Sequence, residues 1–233
     1  TTPAIARLRL LDPSAVLTPL RRYQVAASRN HAGLFPATLH DQQVYWTVVG
    51  IPAGRQKSLL DEYGNVEPWK GSPLVQAVWH GADGRNGSAY SGDVTHALRD
   101  GWMPLPSVEW SPAPDLRLRT EAVVVEQQGA PVTLVRYRVS NTSSHAVRGT
   151  LSLLLRPLQI NPPWQHGGTS PIRTVAIEGP PSATQVRVNG RVLFHSLTSV
   201  GARGAAGFGT HGENEITRDV ARGVVPSNLR AED

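Results

Sequence analysis

The chain has 233 residues with 22 glycines, 19 prolines and no cysteine; 39% are hydrophobic, 18% charged and 6% aromatic. That length can bury a sizeable core and that apolar content excludes wholesale disorder, while the lack of cysteine excludes disulfide staples, zinc ribbons and thiol chemistry. The formal charge of +5 comes from arginines scattered along strand-like segments, with Lys57 and Lys70 the only lysines, so there is no basic block of the kind that follows a phosphate backbone.

Neither nucleic acid nor a membrane is therefore expected as a partner, and no stretch approaches the ~20 apolar residues of a spanning helix. The opening Thr1-Thr2-Pro3, without Met, and the close on Ala231-Glu232-Asp233 read as a piece of a longer polypeptide. The compartment is not legible, because a domain of this size folds without disulfides on either side of a membrane.

Along the chain, Tyr45–Val49 and Leu74–Trp79 are apolar runs that read as strands, with turns at Tyr63-Gly64-Asn65 and Asp83–Ser88. Leu116–Val125, Thr133–Ser140 and Gly149–Arg156 follow, the first two alternating apolar and polar residues and the third placing Leu151, Leu153 and Leu155 on one face. Turn-rich connections join them (Gln127–Pro131 and Asn141–His145), which predicts a three-stranded antiparallel meander. After Arg156 comes Leu158–Ile172, LQINPPWQHGGTSPI. Here Asn161-Pro162-Pro163 ends ladder pairing, because proline has no N–H to donate, and Trp164, Gln165 and His166 are projected at the rim.

Gln185–Phe194 carries Asn189-Gly190 between two alternating runs. Both central positions of a type I′ turn need positive φ, which Asn and Gly tolerate best, so a hairpin is expected there. Gly201–Gly209 reads as a flexible connector, and Asn214–Arg222 as a short helix capped by Asn214 and stopped by Gly223. The expected fold is all-β, a large antiparallel sandwich over residues 1–200. Residues 201–233 hold the connector, the short helix, and the start of a linker or of missing final strands.

The usual catalytic and cofactor signatures are missing: no H-E-x-x-H, no phosphate-cradling loop and no nucleophile elbow. Asp83-Gly84-Arg85-Asn86 looks like a calcium loop only superficially, since its acidic ligands run out at once. Asp61, Glu62, Glu109, Glu121 and Glu126 are carboxylates with nothing in sequence to pair them as an acid and base. His96 reads as an exposed or turn histidine before a general base. No cofactor, metal or catalytic residue is assigned.

The tryptophans carry more. Trp46 and Trp79 fall inside strands and read as core. Trp69, Trp102 and Trp164 fall in loops. A loop indole can stack on the C–H face of a sugar while neighbours such as Asn161, Gln165 and His166 bond its hydroxyls, or it can plug the end of the sheet. Trp164, Gln165, His166, Asn161, Trp102 and Trp69 are the candidate residues for carbohydrate or interdomain contact.

Four segments, Tyr45–Gly50, Asp100–Trp110, Leu151–Gln165 and Ser170–Arg173, resemble phrases in large bacterial carbohydrate-active proteins, over most of residues 20–226. In those proteins a β-supersandwich of the galactose-mutarotase-like class precedes an (α/α)6 barrel of the six-hairpin glycosidase type, and some also carry discoidin-type modules. Glucoamylase-like hydrolases and the cellobiose phosphorylase group share the architecture. The resemblance implies a non-catalytic sandwich packed against a barrel of the same polypeptide, which holds the catalytic pair. The alternatives are an autonomous module that binds an oligo- or polysaccharide through its loop tryptophans, or an enzyme with a His and a carboxylate across a sheet face.

Overall fold

A computed structural model describes residues 18–29, 34–207, 216, 219–220 and 222–232. Among these residues there are three antiparallel sheets and one well-defined helix, so the chain is an all-β sandwich with a short helix.

The central sheet has six strands. β1 (Trp46–Val49), β2 (Ser58–Asp61), β3 (Val66–Glu67), β4 (Leu74–Gly81) and β10 (Gly149–Arg156) lie side by side in the order β1-β2-β3-β4-β10, with β5 (Asn86–Gly87) paired to the far end of β4. A second sheet holds β6 (Val94–Arg99), β7 (Met103–Trp110), β8 (Leu116–Gln127) and β9 (Ala130–Asn141) in sequence order. The two pack face to face. Val49, Leu60 and Val66 meet Val108, Ala122 and Val124 in one cluster, and Ala77 and Trp79 meet Trp110, Leu116 and Leu118 in another. Alternation along β8 explains the arrangement: Leu116, Leu118, Thr120, Ala122 and Val124 are buried, and the residues between them are half-buried.

The other face of the central sheet is covered as well. Helix α1 (Pro19–Ser28) begins at Thr18, whose hydroxyl accepts from Arg21 N–H, with proline at the first helical position. Its buried residues Tyr23, Ala26 and Ala27, together with Leu34, Phe35 and Leu39, pack on Leu59, Leu74, Val78 and Leu154. Each such large aliphatic side chain stabilises by roughly 1.5–3 kcal/mol on full burial. The expected helix at Asn214–Arg222 falls largely outside the described residues. Within it Asp219 and Val220 are helical, Val220 is buried in the same core as α1, and Gly223 follows at φ 71°.

The expected meander holds for its first two strands and not for its third. β8 and β9 pair over their full length from Leu116↔Asn141 to Gln127↔Ala130, but β10 crosses to the central sheet and pairs with β4 from Gly149↔Gly81 to Arg156↔Leu74. The physical reason lies in the face opposite the odd-numbered leucines. Leu154 and Arg156 are buried against the α1 layer while Leu153 stays 38% exposed, so β10 needs cover on both sides, which the four-stranded sheet does not supply.

The third sheet is small, in the order β13-β12-β11-β14: β11 (Thr174–Glu178), β12 (Gln185–Val188), β13 (Arg191–His195) and β14 (Arg230–Glu232). The hairpin at Asn189-Gly190 is present, with both residues at positive φ, 49° and 79°. After the connector, the chain returns so that β14 pairs with β11.

Candidate binding surface at the loop-bearing end

Strand direction sorts the loops into two ends. The β2 N-terminus, the β3 C-terminus, the start of β4 and the finish of β10 lie together, as the pairs Leu59↔Glu67 and Arg156↔Leu74 require. The second sheet contributes the β8–β9 turn to this end, because Thr133 Oγ1 lies 2.5 Å from Ser58 Oγ and both hydroxyls reach the Pro68 carbonyl. The β6–β7 turn lies at the same end by register, since Ser107 is opposite Glu121. Trp69, Trp102 and the Trp164 loop therefore all sit at one end of the sandwich.

The Leu158–Ser170 loop holds its own shape. Gln159 N–H donates to Gly168 O, Gly168 N–H to Asn161 O, Gly167 N–H to Pro162 O and Ser170 N–H to Pro157 O. A Cβ on Gly167 would collide with the Asn161 carbonyl, so glycine is required for that approach. Pro163–Gln165 forms a single 3₁₀ turn at the tip, followed by His166 at φ 63°. Trp164 is 49% exposed, Gln165 and His166 are exposed, and Asn161 is half-buried, its Oδ1 without a partner among the described residues.

Trp69 is half-buried in a tight turn, where its N–H donates to Ser72 Oγ and its carbonyl accepts from Ser72 N–H. This turn is fastened to the Trp164 loop by Glu67. The Glu67 carboxylate is buried; Oε1 accepts from Gly71 N–H at 2.6 Å and Oε2 from Ile160 N–H at 2.9 Å. Burial pushes its pKa above the ordinary value, against the pull of those two N–H groups and of Lys70. Ser170 Oγ adds a bond to Gly71 O. Trp69 and the Asn161–His166 segment are thus brought together. Trp102 stands apart: it is 71% exposed on the β6–β7 turn, at least two strand spacings, about 10 Å, from β9.

The opposite end of the sandwich holds a buried polar knot. Asp61 Oδ1 accepts from Tyr63 and Asn65 N–H, Oδ2 from Asn65 Nδ2, and Asn65 Nδ2 also donates to Tyr90 Oη. Burial raises the Asp61 carboxyl to about 7 despite these donors. His96 Nε2 donates to the Glu62 carbonyl at 2.8 Å, which ties a hairpin down, and the imidazole pairs with no carboxylate among the described residues. Glu121 pairs with Arg136 and Arg119 on the outer sheet, and Asp83 pairs with Arg85 beside its turn. Among the described residues no three of His, Asp and Glu gather as metal ligands.

Sequence reasoning passed over Glu67, Arg156 and Arg191. Arg156 is fully buried under the α1 layer, 4.8 Å over the Phe35 ring, with Nη2 donating to Leu34 O and with Nε and Nη1 lacking a partner among the described residues. Burial lowers its pKa to about 10. Arg191 lies 5.8 Å over the Trp69 ring. Only chain folding, not spacing, brings these groups to their neighbours. No protein-family model, curated protein or solved structure matches the chain.

Proposed function

We propose that this chain is a non-catalytic β-sandwich domain of a bacterial carbohydrate-processing protein, whose loop-bearing end meets an (α/α)6 barrel of the same polypeptide. The observation that carries the reading is that the exposed Trp102 and Trp164, 71% and 49% exposed, lie at the same end of the sandwich as Trp69, although Trp102 stands apart from the other two. Indoles left this open are what an interface core loses when its partner is absent, since aromatic residues are enriched there. The segment phrases that resemble six-hairpin glycosidase proteins name the partner.

A second reading, an autonomous glycan-binding module, is favoured by the projection of Trp164 beside Gln165 and His166 on a self-closed loop. One set of measurements separates the two. Under the first reading, acrylamide quenches Trp102 and Trp164 in the 233-residue chain far more than in the longer polypeptide, and gluco-, galacto- and manno-oligosaccharides leave the fluorescence flat. Equal quenching in both overturns it. A saturable shift with one glycan class, lost in Trp164→Ala, selects the glycan-binding reading.

A further inference from the structure

A cleft of about 160 Å³ opens between the Trp69–Pro73 turn and the β12–β13 hairpin, lined by Trp69, Ser72, Ser170, Asn189 and Arg191 among others. Its size is well below the several hundred Å³ of pockets for drug-sized ligands, so it accommodates one small ring. Its polar walls are specific. Ser72 Oγ accepts from Trp69 N–H, which leaves its own hydroxyl proton to donate, and Ser170 Oγ–H donates to Gly71 O, which leaves its lone pairs to accept. Asn189 is spent on structure, accepting from Arg173 and Thr174 N–H and donating to Pro171 O.

The charge at the mouth is unbalanced. Arg187, nearby on the same hairpin, pairs with Glu178, whereas Arg191 is exposed and has no carboxylate partner among the described residues. Among the described residues no acidic side chain lines the cleft, and Lys70 adjoins Trp69 in the chain. Glu67 lies behind Gly71, with both oxygens already held by backbone N–H groups. The Arg191 guanidinium, 5.8 Å over the Trp69 ring, covers part of the indole face, so the pair offers planar donors for a carboxylate and the uncovered part of the indole for C–H groups.

We propose that the Trp69–Arg191 cleft binds a single hexuronate residue, free or at the end of a chain, with its carboxylate on Arg191 and its ring against Trp69. This deepens the glycan-binding reading and rests on it. Ser170, 6% exposed, leaves an acceptor at the cleft wall for one ring hydroxyl, whereas Ser72, 1% exposed, lies behind it. The anion could also come from a simple carboxylic acid, which shares the arginine contact and lacks the ring.

Ligand-observed saturation-transfer NMR with glucuronate, galacturonate, glucose and acetate tests it, on the whole chain and on Arg191→Gln, whose exposed position should leave the thermal melt unchanged. The expected result is ring-proton saturation with a uronate, weakened about tenfold or more in Arg191→Gln, with glucose weaker than the uronate by a similar factor. Uronate binding indifferent to Arg191→Gln, glucose binding as tightly as glucuronate, or acetate matching the uronate would each overturn it. Neutral oligosaccharides binding through Trp164 while uronates do not would sink the cleft proposal and leave the glycan-binding reading standing. Silence with every sugar would end both.

Discussion

Two buried carboxylates, Asp61 and Glu67, bracket the short β2–β3 hairpin, and they do different work. Asp61 takes all three of its donors from within its own turn, Tyr63 and Asn65. Glu67 takes its two donors from separate loops, Gly71 close by and Ile160 at 93 residues' separation. The first shapes a local turn at the closed end of the sandwich. The second joins two loops at the open end and so holds Trp69 beside the Trp164 loop. The same chemistry, a desolvated carboxylate satisfied by N–H groups, serves local geometry in one case and the layout of a surface in the other.

The largest expected effect concerns Asp61. Its folded-state pKa of about 7 lies above the ordinary 3.8, so the folded state binds this proton more tightly than the unfolded chain. The resulting stabilisation is fully present below about pH 4 and is lost as the pH rises through about 7, on the order of a few kcal/mol. Urea unfolding followed across that window should show stability falling as pH rises. Asp61→Asn should flatten most of the slope, because its Oδ1 keeps both backbone bonds and the Asn65 amide can turn over to accept from the new Nδ2. Glu67, also raised by burial, leaves a residual slope of the same sign. An unchanged slope in Asp61→Asn would contradict the assignment.

Glu67→Gln comes next. An amide has one acceptor oxygen where Glu67 uses two, so either Gly71 or Ile160 N–H is left facing an NH₂ group. A buried unpaired donor costs about 1–3 kcal/mol, which denaturant titration at neutral pH will read. If the variant matches the wild type in stability and in tryptophan emission, the clamp carries no weight. The smallest effect is assigned to Thr133→Val. It removes the hydroxyl that bridges the second sheet to Ser58 and Pro68, while Ser58 keeps its 2.7 Å bond to the Pro68 carbonyl. The loss should stay under about 1 kcal/mol, and a larger one would mean that the two sheets, rather than Glu67, set the position of the Trp69 turn.

The same contrast explains what was legible in the sequence. Local chemistry was: Asn189-Gly190 announces its hairpin, Tyr63-Gly64-Asn65 its turn, and the prolines and paired glycines around Trp164-Gln165-His166 announce an exposed tip. The alternation of Leu116–Val125 gives the buried face of β8 directly. Helix α1 carries a start signal in Thr18-Pro19, but Ala26 and Ala27, which bury its stripe, are too small to stand out as an apolar period. Without that layer nothing in the sequence calls for burying Leu154 and Arg156, and spacing alone places β10 beside β9 rather than beside β4. Nothing in spacing could bring Glu67 to Ile160, or Arg191 to Trp69, because those meetings depend on the whole fold.

Amide hydrogen exchange on the wild-type chain and Glu67→Gln tests the central claim, that the Glu67 carboxylate joins the Trp69 turn to the Trp164 loop, most directly. Exchange should quicken at Gly71 and Ile160 in the variant, with Tyr63 and Asn65 unchanged at the opposite end. Unaltered protection at Gly71 and Ile160, or equal loosening at both ends, would contradict it.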